Sequence, residues 1–197
     1  MPGERVRSRS DVSSFPPLAR PLSDGAVTLR PSAERDIPEV LIAYQDDPEL
    51  HLRLGEDRPP SGAHLGRRAE LADQEWWGGS SLTLAIVAGS DDTCLGEVRV
   101  ASVDWQHLRV EVCVWVAVAH RGTGLGRRAL ALSSQWLLAE CGLERVGLMV
   151  DPGNVAMRHA AIAAGFAHEG VLRGYAVEQG RRRDKAVFSR VRSDLAA

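Results

Sequence analysis

Five valines stand at every second position from 110 to 118, and no other stretch limits the fold as tightly. A strand turns successive side chains to opposite faces. Val110, Val112, Val114, Val116 and Val118 therefore line one face, and Glu111, Cys113, Trp115 and Ala117 line the other. A β-branched run that is apolar on both faces, apart from one carboxylate, belongs in the middle of a sheet with layers on either side. The chain has 197 residues, enough for one domain of ordinary size with a buried core. At 44% hydrophobic and 25% charged it is not a disordered polymer.

Other elements follow from hydrophobic period and from breakers. Val27 to Arg30 reads as a short strand ended by Pro31. Ala33 to Gln45 reads as a helix, with Ile37, Val40, Leu41 and Tyr44 on one stripe and Ser32 as a candidate cap. A second helix fits 63–77, entered through Pro59-Pro60-Ser61-Gly62 and closed by Gly78-Gly79. Strands are expected at 82–88, 94–103 and 109–118. After them come a helix from Leu125 to about Cys141, a strand over 145–150 and a helix over 154–164. A hairpin of 166–177 and 185–191 closes the chain. Residues 1–25 hold no persistent period and are expected to form a flexible lead, with a docked piece around Phe15 to Leu22; the domain proper is expected over 26–194.

Charge and cysteine usage exclude several classes. There are 24 basic against 26 acidic residues, for a net charge of -2, which argues against a dedicated nucleic-acid binder. No apolar run approaches the roughly 20 residues that span a bilayer. Twenty-three of the 24 basic residues are Arg, and only Lys185 is Lys, so a cluster such as Arg181 to Arg183 reads as a solvated turn in an Arg-biased chain. Cys94, Cys113 and Cys141 are odd in number and lack any CxxC, so neither a disulfide framework nor a metal site is expected. With no charged-then-apolar start, a reduced cytoplasmic setting is the default expectation.

Between the valine strand and the next helix stands His120-Arg121-Gly122-Thr123-Gly124-Leu125-Gly126-Arg127. Glycines let backbone N–H groups approach an oxyanion with no Cβ in the way. The start of a helix adds a partial positive charge of about half a unit. Together they make a phosphate cradle, to which Arg121 adds a cation. A P-loop is excluded because no lysine follows the glycines. Gly124-Leu125-Gly126-Arg127-Arg128-Ala129 also satisfies the dinucleotide pattern G-x-G-x-x-A, with Asp151 about 22 residues on. The long approach from the strand and the 46 residues left after Asp151 count against that reading.

Arg121-Gly122-Thr123-Gly124-Leu125-Gly126 resembles the Q/R-x-x-G-x-G/A signature of the Gcn5-related N-acetyltransferases. The strand Val110 to Val116 is similar to the family's strand in the branch that includes the ribosomal-protein alanine acetyltransferases. Asp151-Pro152-Gly153-Asn154, Ala164-Gly165-Phe166, Glu169 to Arg173, Asp184 and Val187-Phe188-Ser189 follow that branch's spacing. The resemblance covers about residues 26–194. It implies a mixed α/β domain with a twisted, V-opened sheet of six or seven strands and about four helices. It also implies an acetyl-coenzyme A site, with the pyrophosphate on 121–127 and the pantetheine arm in a gap between the strands at 112–118 and 145–150. Cofactor contacts would then fall on Val114, Val116, Arg121, Gly122, Gly124, Gly126, Arg127 and Asn154, with no metal.

The implied reaction is direct attack of a primary amine on a thioester. At pH 7 an α-amine must shed a proton against about 1.4 kcal/mol and a lysine amine against about 4.6 kcal/mol, so a general base matters. Glu111, the lone carboxylate of the apolar strand, is the candidate base; a solvated or Arg-paired Glu is the bland alternative. Asn154 is either a helix cap or a coenzyme A contact, and the oxyanion donor would be a backbone N–H near Val116. Trp76 and Trp77 are candidates for the acceptor wall, as are Arg173 and Tyr175, with Arg173 or Tyr175 alternatively paired to Asp184. The acceptor walls would come from 46–80 and 174–184.

Three departures stand out. Met157 replaces a common serine, Ala161 stands where many relatives outside this branch carry a thiolate-protonating Tyr, and Cys113 replaces a Gly without a His set beside it by the sequence. They keep open a non-catalytic acyl-coenzyme A sensor, or a donor such as succinyl-coenzyme A. The acceptor, whether protein N-terminus or small amine, and the oligomeric state, whether monomer or homodimer, are not set by the sequence.

Overall fold

The structure is a computed structural model that describes residues 14–89 and 91–196. Among the described residues, thirteen elements run in the order β1 (Leu22–Ser23), β2 (Val27–Pro31), α1 (Ile37–Asp46), α2 (Leu50–Arg53), α3 (Gly62–Trp77), β3 (Leu82–Ala88), β4 (Gly96–Asp104), β5 (Arg109–Val116), α4 (Leu125–Ala139), β6 (Arg145–Val150), α5 (Val155–Ala163), β7 (Ala167–Glu178) and β8 (Arg181–Val191), with short 3-10 turns at Glu34–Asp36, Val118–His120 and Arg192–Leu195. One eight-stranded sheet has the order β1-β2-β3-β4-β5-β6-β8-β7. Every neighbour is antiparallel except β5 and β6, which run parallel. The valine strand is central, as its two apolar faces require.

Two elements exceed the expected count. β1 is a two-residue edge strand on β2, and α2 is a single turn after α1. Neither is long enough to leave a periodic signature. α1 begins at Ile37 rather than at 33, with Pro38 in its first turn, where a missing N–H costs nothing. Ser32 does not cap it. The turn before α1 is organised by Asp36, which accepts from the Ala33 N–H and both terminal nitrogens of Arg30.

The face of β5 carrying Val110 and Val112 packs beneath α4 with Leu130, Trp136, Leu137, Leu148 and Phe188. The opposite face carries Trp115 against α1 and α3, with Val40, Tyr44 and Leu65. Before Ala26, Phe15, Leu18 and Leu22 pack against the core. Phe15 is 1% exposed and sits among Trp76, Trp105 and Trp136 at ring separations of 6.3, 5.2 and 6.4 Å. The part of the expected lead over 1–13 lies outside the described residues.

β4 approaches β5 so closely at Gly96 that a Cβ there would stand 2.2 Å from the Trp115 carbonyl oxygen. β5 then leaves β6. The two pair only at Arg109 with Arg145, Val110 with Val146 and Glu111 with Gly147, although each strand continues beyond. β6 stays paired to β8 along its full length.

Candidate active site

The parting of β5 from β6 opens one side of β5. The Ala117 N–H bonds to Leu95 on the β4 side, and the Leu108 carbonyl accepts from the start of β6. Backbone groups alternate sides along a strand. Odd residues of β5 therefore face β4, and the N–H groups of Val114 and Val116 face the gap. Strand polar groups left open in this way demand a partner.

The glycine loop stands at the mouth of the gap. Gly122 and Gly124 have φ of +78° and +87°, a region that side chains disfavour. A Cβ on either would meet nothing within 4 Å, so the bend is open and not filled by the protein's own side chains. Gly126 brings the helix start against β5, where its Cβ would lie 3.6 Å from Val116 Cγ2. The first amide of α4 returned to the chain is that of Arg128, donating to Gly124. Among the described residues, the N–H groups of 122–127 have no protein acceptor. A helix start with this many free amides is suited to a phosphate.

The arginines of the loop divide. Arg127 is exposed and has no ion pair among the described residues. Arg128 is held by Asp24 at 2.6 Å. Arg121 does not point free, as expected of a phosphate ligand: its Nε donates to the Val116 carbonyl at 2.9 Å, and its guanidinium pairs with Asp47 at 2.5 Å. Asn154 caps α5, its side-chain oxygen accepting from the Met157 N–H at 3.0 Å.

Glu111 occupies the last paired position of β5, where the strands part. Gly147 lies opposite; a Cβ there would stand 3.7 Å from Glu111 Cγ. Among the described residues the carboxylate has no hydrogen-bond partner. Burial pushes its pKa up, against the pull of Arg109 and Arg145. Cys113, two residues on, has its thiol pushed up by burial, the opposite of an activated nucleophile. Ala161 is wholly buried in the core.

The same face holds a network that the sequence did not reveal. Glu97 on β4 is 0% exposed and accepts from Arg68 at 2.8 Å, Trp115 Nε1 at 3.2 Å and Ser32 at 3.3 Å. Next to it Arg99 donates to Glu56 at 2.6 Å and to the Tyr44 hydroxyl at 3.1 Å, and that hydroxyl donates to Glu56 at 2.8 Å. Gly96-Glu97-Val98-Arg99-Val100 alternates as a half-solvated strand does, and nothing local announces that its charged face is covered by helices.

Glu56 reaches a cavity of about 190 Å³ between the α2 turn (Leu52, Gly55, Glu56, Asp57) and the β7–β8 hairpin (Ala176 to Gln179, with Lys185). These walls fall in the two regions expected to form the acceptor site, but the four named candidates do not line it. Trp76 is a core residue, its Nε1 donating to Pro16. Trp77 is exposed at the end of α3. Arg173 and Tyr175 lie exposed on β7 short of the cavity, and Asp184 accepts from the Gly174 N–H rather than pairing with either. β7 slips register against β8 between Leu172 and Ala176, so Arg173 and Tyr175 fall in the irregular stretch before the cavity. Among the described residues, no group of three His, Cys, Asp or Glu side chains is placed to hold a metal.

Comparison with known proteins agrees with this geometry. The acetyltransferase (GNAT) domain family matches residues 26–167. An uncharacterized N-acetyltransferase p20 of Bacillus licheniformis is 22% identical over 170 residues, covering 86% of this chain and 95% of that protein. Among solved structures, the ribosomal-protein-S5-alanine acetyltransferase of Vibrio fischeri superposes with a TM-score of 0.77 at 17% identity, over 89% of this chain and 98% of that one. Mycobacterium smegmatis RimJ in complex with CoA-disulfide superposes with a TM-score of 0.77 at 23% identity, over 90% and 88%. At such identities these structures speak for the fold. The family match spans well over half of the residues, from β2 through the glycine loop to α5, and the chain belongs to the GNAT acetyltransferase family.

Proposed function

We propose that the chain transfers an acetyl group from acetyl-coenzyme A to a primary amine, by direct attack with both substrates bound. The observation that carries this is the run of unengaged amides over 122–127, set beside a strand pair that separates beyond Glu111 and Gly147. The pyrophosphate is received by the amides of Gly122, Gly124, Gly126 and their neighbours, with Arg127 as the available cation. The pantetheine arm pairs with Val114 and Val116, and the Val116 N–H stabilises the carbonyl oxygen as charge gathers on it. Asn154 holds the start of α5 beside the gap.

Acetyl-coenzyme A supplies a thioester. As the amine nitrogen bonds to its carbonyl carbon, one amine proton passes to Glu111; the C–S bond breaks, and the leaving sulfur takes a proton from solvent. A raised pKa brings Glu111 closer to the amine it serves, so less driving force is lost in the transfer. The acceptor enters through the cavity between the α2 turn and the β7–β8 hairpin. A protein N-terminus is favoured over a lysine side chain, because its amine loses its proton more readily.

Calorimetry with acetyl-coenzyme A tests the cofactor site, and absence of heat at millimolar ligand would overturn it. Thiol release with amino-terminal peptides, polyamines and aminoglycosides tests the reaction, and succinyl-coenzyme A in parallel tests the donor. Glu111→Gln should lower kcat by about 10²- to 10⁴-fold, the usual worth of a general base, and leave cofactor affinity alone. An unchanged rate rejects the assignment.

A further inference from the structure

Asp47 belongs neither to the glycine loop nor to the acceptor cavity, yet it holds both. It follows the last residue of α1 and is 7% exposed. One carboxylate oxygen accepts from Arg121 at 2.5 Å, and the other accepts from the guanidinium of Arg53. Arg121 opens the glycine loop and at the same time clasps the Val116 carbonyl at the end of β5. Arg53 closes α2, whose neighbours Leu52, Gly55, Glu56 and Asp57 form one wall of the cavity. A single carboxylate thus joins the two halves of the site through charge-assisted bonds, which are strong and directional. α2 is one turn long and too short to hold itself by its own hydrogen bonds, so its order depends on what anchors its end.

We propose that Asp47 is a positioning residue that couples the cofactor loop to the acceptor wall. Coenzyme A settling on the loop restrains Arg121, and the restraint reaches 50–57 through Asp47 and Arg53. By reciprocity, an acceptor that orders the wall tightens coenzyme A. The coupling rests on the cofactor reading above and adds to it a route by which the loaded enzyme shapes its acceptor site.

Amide hydrogen exchange on the full chain, with and without saturating coenzyme A, tests this in the wild type, Asp47→Asn and Arg53→Gln. The first variant keeps the side chain's shape and removes its charge. The second touches neither the loop nor β5. In the wild type, coenzyme A should slow exchange over 50–57 several-fold. In both variants calorimetry should still show coenzyme A binding, while that ligand-dependent protection is lost. A merely structural Asp47 would change exchange by the same factor with and without ligand. Protection that survives in a folded variant overturns the coupling, as does wild-type binding with no protection at 50–57. No binding heat in the wild type overturns the cofactor reading, and the coupling falls with it. If Asp47→Asn does not fold, Arg53→Gln decides.

Discussion

Two carboxylates on one face of the sheet show how placement sets chemistry. Glu97 is fully buried and satisfied on both oxygens, so it is a structural anion. Glu111 is half-buried and, among the described residues, has no hydrogen-bond partner, which is what the base proposed above requires. The arginines flanking it are occupied elsewhere. Arg109 pairs with Asp104 at 3.0 Å. Arg145 forms a two-pronged pair with Glu169 at 2.7 and 2.5 Å, and Ser189 donates to the same carboxylate. Arg145, with help from Ser189, holds Glu169 at about 2, below the usual carboxylate range. Glu169→Gln should free Arg145 to approach Glu111 and lower its pKa, so that the acid limb of the pH–rate profile moves to lower pH; an unmoved limb would reject this. The stability effect has a definite sign. A carboxylate with a depressed folded pKa stabilises the fold above its unfolded value, and that contribution is lost as pH falls through the folded one. The gap in urea stability between wild type and Glu169→Gln should therefore close as pH drops from about 5 toward 2. A gap that stays constant over that range would count against the pairing.

The glycine loop and α4 work as a unit. At Gly124, φ is +87° and the space around a Cβ is open. Gly124→Ala should cost about 1 kcal/mol of backbone strain. Its methyl would also enter the cradle, and coenzyme A affinity should fall by at least about tenfold, or 1.4 kcal/mol, in calorimetry. Gly142, with φ of +74° at the other end of the helix, is the control. Gly142→Ala should bring similar strain with coenzyme A affinity unchanged. Equal loss in both variants would mean that the loop glycines serve only the fold. This element was legible because its requirements are local: glycines, a helix start and a valine strand lie within twenty residues. For the proposed acceptor cavity the two regions were legible but the lining residues were not, because their placement depends on tertiary contacts of a one-turn helix and of an irregular stretch of β7.

Across the whole molecule, the segment before β1 is part of the core. Phe15 closes a group of three tryptophans drawn from α3, the β4–β5 turn and α4. Phe15→Ala should destabilise the fold by about 3–5 kcal/mol, as loss of a buried aromatic does. The thermal midpoint should fall accordingly, while the folded fraction still binds coenzyme A. A midpoint within a degree or two of the wild type would show that the segment is only lightly attached. The isolated Phe15 gave no periodic signal, since its partners are 61 or more residues away in the chain.

Local chemistry was decided by the sequence alone. The central strand, the open glycine loop at a helix start and the lone carboxylate of β5 lie in contiguous residues, because period, glycine freedom and helix polarity act over one or two turns of chain. Distant pairing was decided by tertiary structure. It committed Arg121 to Asp47, buried Glu97 beneath two helices, turned Trp76 into core and paired Arg145 with Glu169. Each of these is an electrostatic or packing choice between groups far apart in sequence, and only the folded sheet brings the competing partners within reach.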